Sequence, residues 1–391
     1  MSLRLERIDL ADSAARNAFA AFGTAMNARN TRHLPRPLAQ ELALLEPASN
    51  PWLTDQAVAT WMVRDGADGP VAGRIAAMHP TGGPDRGEAC LGLYEAEDDP
   101  DIARLLIDAG VEWLTAQGAT RVLAPMDFSI FNSYRCQTGG FDLPPFIGEP
   151  RNPAYYGGHF DALGFAPLHR WESHDMDLSA AAAAAAAAAT DYADAKALGY
   201  RFADYNTCGT EEALHHTWTL INASYGQMPG FVTLSWERFR DHYARLPLLV
   251  DRDASCFVLD PAGTRVGFSI VLKDLDAALR AMRGHTSGPG VWLDRLRFLR
   301  HARRGSVATA YQIGVPYREI RQAALLGRRR LGRPLALGQA IYHHGSLRIF
   351  DQPRYRRVIV ALLRDGSPNI AFTRPWATAR REYTLYERLL T

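Results

Sequence analysis

The chain has 391 residues, 47% of them hydrophobic and 22% charged, with a formal net charge of +2 and four cysteines. This is the composition of a globular protein, and no continuous apolar run approaches the ~20 residues that a bilayer crossing requires. The net charge hides an asymmetry: residues 1–190 carry 14 basic against 24 acidic side chains, and residues 191–391 carry 30 against 18.

In chain order, the opening MSLRLERIDLADSA places acidic residues where an export signal needs an apolar core. Cys90, Cys136, Cys208 and Cys256 are widely separated, which excludes a CxxC zinc site and a disulfide framework. A cytoplasmic protein with reduced thiols, no metal and no membrane partner is therefore expected. A helix is expected after Asp12, followed by a hairpin over residues 59–77, where two apolar runs flank a polar, glycine-containing turn. Residues 255–271 repeat that hairpin. Each copy has a central glycine in its second run, Gly73 or Gly267, and the two lie 194 residues apart. A repeat at half the chain length indicates two like domains in tandem.

After the first hairpin, residues 89–94 form a candidate strand, and the acidic turn EAEDDPD leads into an amphipathic helix over 102–117 that Gly118 ends. A short strand at 120–124 makes this a crossover unit with parallel neighbours, so an α/β (α+β) fold with a mixed sheet is expected. A long loop rich in glycine and proline follows. Asn152 is placed to cap a helix with Pro153 at its first position, and Gly164 to end it before a strand at 165–178.

Ten alanines, residues 180–189, then mark a boundary, and a helical or partly frayed linker is expected there. In the second half, a strand is expected at 200–205, helices at 211–223 and 236–246, a strand at 306–315 and a helix at 317–330. A closing strand is expected at 379–390.

The Asn-Pro-x-Tyr-Tyr phrase at 152–156, the Leu-Gly-Phe at 163–165, the Gly-Phe-Asp-x-Pro-Pro loop at 140–145 and the strand, acidic turn and helix at 91–117 closely resemble the GNAT acyltransferase superfamily, in particular bacterial tandem-GNAT proteins. The resemblance implies two GNAT-like domains, each a mixed, mostly antiparallel sheet flanked by helices. The first, 1–178, is acidic and expected to be non-catalytic. Residues 179–197 are the linker, and 198–391 form a basic domain with the acyl-CoA site.

The resemblance further implies that a bulged strand presents backbone N–H groups to a thioester while the next turn holds the pyrophosphate of coenzyme A. The matching positions are Gln312, Ile313, Gly314 and Val315 on the strand, then Arg318, Arg321, Gln322 and Ala323 in the turn. Here Arg321 stands where the family pattern has glycine. A second register, with the strand at 335–341 and Gly345 after it, is the alternative. The acidic turn of the first half would repel phosphate.

Tyrosine is the expected acid for the leaving thiolate, with Tyr355 and Tyr386 as candidates ahead of Tyr342 and Tyr383. Asn152, Tyr155 and Tyr156 are candidate substrate contacts, and His215, His216, His343 and His344 are the histidines available as a base. The expected activity is transfer of an acyl group, acetyl first, from coenzyme A to an amine of a small molecule, by a monomer or homodimer. Two alternatives stand beside it. One is a Fem-like transferase that takes its group from aminoacyl-tRNA, for which the basic half would hold RNA phosphates. The other is a catalytically silent tandem that binds a ligand.

Overall fold

A computed structural model describes residues 2–29, 36–66, 69–82, 87–150, 152–282 and 289–390. The fold is mixed α/β. Its strands are β1 (Leu3–Ile8), β2 (Gln56–Asp65), β3 (Val71–Pro80), β4 (Glu88–Ala96), β5 (Arg121–Ala124), β6 (Cys136–Gly139), β7 (Ala166–Asp177), β8 (Arg201–Asp204), β9 (Cys256–Leu259), β10 (Arg265–Lys273), β11 (Val307–Gly314), β12 (Arg357–Arg364) and β13 (Ala379–Leu389). The principal helices are α1 (Ser13–Arg29), α2 (Pro100–Ala116), α3 (Tyr156–Ala162), α4 (Leu178–Ala187), α5 (Ala189–Ala197), α6 (Thr210–Tyr225), α7 (Pro289–Ala302), α8 (Tyr317–Leu331) and α9 (Leu337–Phe350).

The chain forms two compact units. Unit 1 comprises residues 1–145, 149–170 and 382–391, and unit 2 comprises 146–148 and 171–381. This division departs from the chain order expected for the domains. The closing strand β13 completes unit 1, where Tyr386 pairs with Ala124 and Thr384 with Cys136. The C-terminal part of β7 completes unit 2, where Met176 pairs with Val358. Unit 1 therefore takes its closing strand from the far end of the sequence, and unit 2 takes its strand from the segment just before the alanine run, pairings that no local pattern encodes.

Within unit 1 the strands run in the order β1-β2-β3-β4-β5-β13, and within unit 2 in the order β7-β12-β11-β10-β9-β8. One neighbouring pair in each is parallel, β4 with β5 and β11 with β12, and the other neighbouring pairs within each unit are antiparallel among the described residues. The repeated hairpin is real down to its register. Gly73 faces Val63 after a bulge at Ala72, and Gly267 faces Val258 after a bulge at Val266. A side chain at Gly73 would strike Ile102 and Leu106 of α2 at 2.7 Å, so glycine there lets the crossover helix lie directly on the sheet. The buried residues Ile75, Leu91, Leu106, Leu114 and Phe160 form the centre of that core.

The alanine run is helical, as its composition dictates, but it is not frayed. Ala181, Ala184, Ala185 and Ala188 are buried in a core cluster of unit 2 with Ile349 and Val358. Small side chains permit that close approach to α9, so the run is a packed element of the domain. The alternative register for the cofactor strand fails as well, because residues 337–350 form helix α9.

Candidate functional site

Both units contain the same backbone device. In unit 1, Arg74 pairs with Glu95 and Ala76 with Gly92, so Leu93 and Tyr94 of β4 together face Ile75 of β3. Leu93 adopts φ 48° to make this bulge. The parallel pairing of β4 with β5 ends at Cys90 opposite Leu123. In unit 2, Ile270 pairs with Gln312 and Val271 with Ala310, which leaves Tyr311 as the bulged residue of β11. Parallel pairing with β12 ends at Ala310 opposite Val360. Beyond those points each strand keeps a neighbour on one side, and the backbone groups of the other side point into a gap.

In unit 1 that gap is occupied by the chain itself. The Leu93 N–H donates to Asp127 Oδ1 at 2.7 Å. The Ala96 N–H donates to the Tyr156 hydroxyl at 3.0 Å, and that hydroxyl donates to Glu95 Oε2 at 2.6 Å. Tyr155 donates to the Ala96 carbonyl at 2.7 Å. Burial raises the carboxyl pKa of both Glu95 and Asp127, against the opposing pull of Arg74 and Arg36. Helix α2 then starts with its N-terminus already capped, because Asp99 accepts from the Asp101 N–H at 2.8 Å and Pro100 supplies no donor.

Unit 2 presents a different lining. The Ile313 carbonyl accepts from the Tyr225 hydroxyl at 3.1 Å. A strand residue directs its N–H and C=O to the same side, so the Ile313 N–H is aimed the same way. Two residues separate β11 from α8, which begins at Tyr317 with Pro316 at its cap and no side chain capping it. Its first N–H groups lack intrahelical acceptors and carry the positive end of the helix dipole, which suits an anion. Arg318 is exposed and paired with Glu319 at 2.7 Å, while the exposed Arg321 lies 5.9 Å from the Tyr317 ring. Behind the bulge, Tyr311 packs with Phe146, Ile359 and Ala361. Gly148, at φ 85°, meets the Tyr311 ring so closely that an added Cβ would sit 2.7 Å from it. Residues 146–148 thus back the bulge of unit 2, with Arg381 holding Phe146 at 5.5 Å and anchored in turn by Asp175.

The structure gathers some of the expected site residues and scatters others. Gln312, Ile313 and Gly314 are on β11, Val315 follows directly, and Arg318, Arg321 and Gln322 are exposed in the first turns of α8. Residues 318–323 are therefore helix, and the turn shrinks to Val315 and Pro316. Ala323 is fully buried in the core beneath α8, which corrects its expected role as a phosphate contact. Gly314 is needed because a Cβ would lie 2.2 Å from the Phe268 ring.

Both candidate acids are committed to other partners. Tyr386 belongs to unit 1, where it stacks on Phe160 with ring centroids 5.7 Å apart, and burial pushes its hydroxyl pKa up. Tyr355 is in unit 2 but 1% exposed, with its hydroxyl given to Asp251 and its pKa raised by burial and that carboxylate. Tyr342 donates to Met176 and Tyr383 to Glu149.

Asn152 is also a correction. It is buried, and it clamps β6 by accepting from the Gln137 N–H at 2.7 Å and donating to the Gln137 carbonyl at 3.0 Å. Helix α3 starts only at Tyr156, so Asn152 is not its cap. Tyr155 and Tyr156 fasten the end of β4 instead of lining an open pocket.

The histidines have other partners. His343 bonds the Ala185 carbonyl at 2.7 Å, His344 faces Asp204 at 3.2 Å, His216 faces Glu212 at 3.3 Å, and His215 packs between Trp218 and Trp236. Asp127, Tyr225 and Tyr311 were not anticipated, since their partners lie far away in sequence.

No protein-family model matches the chain. A region of 150 residues is 28% identical to the bacterial ceramide synthase of Caulobacter vibrioides, covering 38% of this chain and 39% of that protein. The chain thus spans about two fifths of the curated relative's length in this match. Among solved structures, the glucosamine N-acetyltransferase region of a fungal multi-domain β-N-acetylglucosaminidase, described as GCN5-related, matches with a TM-score of 0.50 at 12% identity, over 99% of this chain and 38% of that one. A probable N-acyltransferase of Enterococcus faecalis also gives a TM-score of 0.50, at 7% identity over 100% of this chain and 73% of that one. At these identities the likeness is one of fold.

Proposed function

Given a fold shared with GCN5-related N-acetyltransferases, we propose that unit 2 binds an acyl-coenzyme A and transfers its acyl group to an amine, while unit 1 serves a structural role. The observation that carries this reading is the bulge at Tyr311 beside the end of β11–β12 pairing, followed within a few residues by the uncapped N-terminus of α8. The first turn of α8, with Arg318 and Arg321, receives the pyrophosphate. The Ile313 N–H faces the thioester. The amine nitrogen attacks the thioester carbon, and the oxygen that gains charge is held by that backbone donor. Collapse breaks the C–S bond, and the thiolate takes up a proton as the amine gives one up. Tyr225, already at the gap through its bond to Ile313, is the hydroxyl available to this chemistry.

Acetyl-CoA is the first donor to test. The ceramide synthase likeness adds long-chain acyl donors and long-chain amines to the screen. Calorimetric titration with coenzyme A, acetyl-CoA and palmitoyl-CoA tests the reading, with saturable binding at one site per chain expected. Absence of binding for all three refutes it, and salt-sensitive binding of aminoacyl-tRNA in their place would favour the Fem-like alternative.

A further inference from the structure

Helix α7 is built the wrong way round for a helix of a globular domain. Its apolar residues Trp292, Leu293, Leu296 and Leu299 are 67%, 51%, 62% and 55% exposed. Three of them, at i, i+4 and i+7, form one stripe along the solvent side. The inward side carries Val291, Phe298 and His301, each partly buried, together with the buried Asp294. An ordinary surface helix turns its apolar stripe to the core and its charge to water.

The charge pattern says what covers this face. Arg295 flanks the stripe on one side, with its guanidinium 5.2 Å from the Trp292 ring, and Arg300 flanks it on the other. Arg303 and Arg304 continue just past the end of the helix. The one acid of α7, Asp294, is buried and bound to Arg297 at 3.0 Å, so no carboxylate of the helix offsets the exposed arginines. A shallow hollow beside the stripe is lined by Leu296, Leu299, Arg300, Arg303 and Arg304, an apolar floor with cationic walls.

We propose that α7 is an interfacial helix that docks the protein on the surface of an anionic bilayer, with Trp292 and the leucines in the acyl boundary and the arginines on headgroup phosphates. At about 21 Å the helix is too short to span, so it lies in the surface plane. A second copy of the chain fits less well, because a two-fold pairing would set the Arg295 and Arg300 flanks against their own like charges. This goes beyond the acyltransfer reading and does not rest on it. It also replaces the expectation of no membrane partner, which followed only from the absence of a spanning segment.

Co-flotation of the full chain with vesicles tests the proposal, comparing phosphatidylcholine alone with phosphatidylcholine plus phosphatidylglycerol at low and high salt. The protein is expected to float with the anionic vesicles only, and less at high salt. Leu296→Glu with Leu299→Glu is expected to lower partitioning at least about tenfold, and Arg295→Gln and Arg300→Gln about fivefold each. The melting curve should stay unchanged in every variant, since these side chains are exposed. Equal binding to neutral vesicles, or undiminished binding of the double Glu variant, overturns it. So does a dimer in sedimentation velocity that the Glu variant converts to monomer while the parent ignores vesicles, because the face would then be a protein interface.

Discussion

Strand β4 with helix α2 and strand β11 with helix α8 are the same construction in two different states. Both strands bulge, both lose a parallel neighbour, and both run into a crossover helix. In unit 1 the exposed donors of that construction are used up by Asp127, Tyr156 and Asp99. In unit 2 the helix N-terminus is uncapped, Gly314-Val315-Pro316 stand where unit 1 has the acidic run Glu97-Asp98-Asp99, and Arg318 follows in the first turn. The scaffold alone therefore does not determine a binding site. The side chains that reach the gap decide whether it is a receptor for a thioester and its phosphates or a piece of core.

The largest effect should come from attacking unit 1 where it is most structural. Arg74 and Glu41 are 2% and 1% exposed and paired at 2.8 Å, and Glu41 also pairs with Arg36 at 3.1 Å, so Arg74→Met leaves the buried carboxylate with one of its two cations and should cost about 3 kcal/mol in a denaturant melt. Acyl-CoA affinity of the protein that remains folded should not change. A matching loss of affinity would contradict the division of roles. Next in size, Arg318→Ala with Arg321→Ala should weaken coenzyme A binding about tenfold, equivalent to ~1.4 kcal/mol, and flatten its dependence on salt. Unchanged affinity there would show that the phosphates lie elsewhere. A smaller effect, about 1 kcal/mol, is expected for Tyr225→Phe, which removes one hydrogen bond at the gap. It should appear in steady-state kinetics with the fold intact.

The gentlest test is pH. In unit 2, burial lowers the pKa of His174 and His344 below 6.5, and Arg374 and His174 lower that of Glu172 against its own burial. Groups that resist protonation in the fold but accept it when unfolded lose stability as pH falls. The histidines act below about 6.5 and Glu172 below about 4.5, the unfolded values. In unit 1, His159 is shifted down in the same sense, but Glu95 and Asp127 are raised and so favour the fold as pH falls. Hydrogen exchange followed from pH 7 downward should therefore show unit 2 loosening first.

Much of this comparison was legible in the residues. The glycine-centred hairpins, the acidic turn before α2 and the strand at 306–315 running into the helix at 317–330 all follow from periodicity and turn chemistry, which act over a few residues. What was missed depends on distant partners. Asp127 reaches Leu93 from 34 residues away and Tyr225 reaches Ile313 from 88, and neither leaves a local signature. Exchange of the closing strands moved Tyr386 out of the domain to which chain order assigns it. The region between the second hairpin and the strand at 306–315 reads from its sequence as an Arg-rich link, and the helix at 289–302 within it is missed because its apolar face has no core to mark it.

Hydrogen exchange of the full chain with and without saturating acyl-CoA, set beside the calorimetric stoichiometry, tests the central claim most directly. The account predicts one site per chain, with protection over residues 311–321 and none over 93–101. Protection of 93–101, or two equivalent sites, would contradict it.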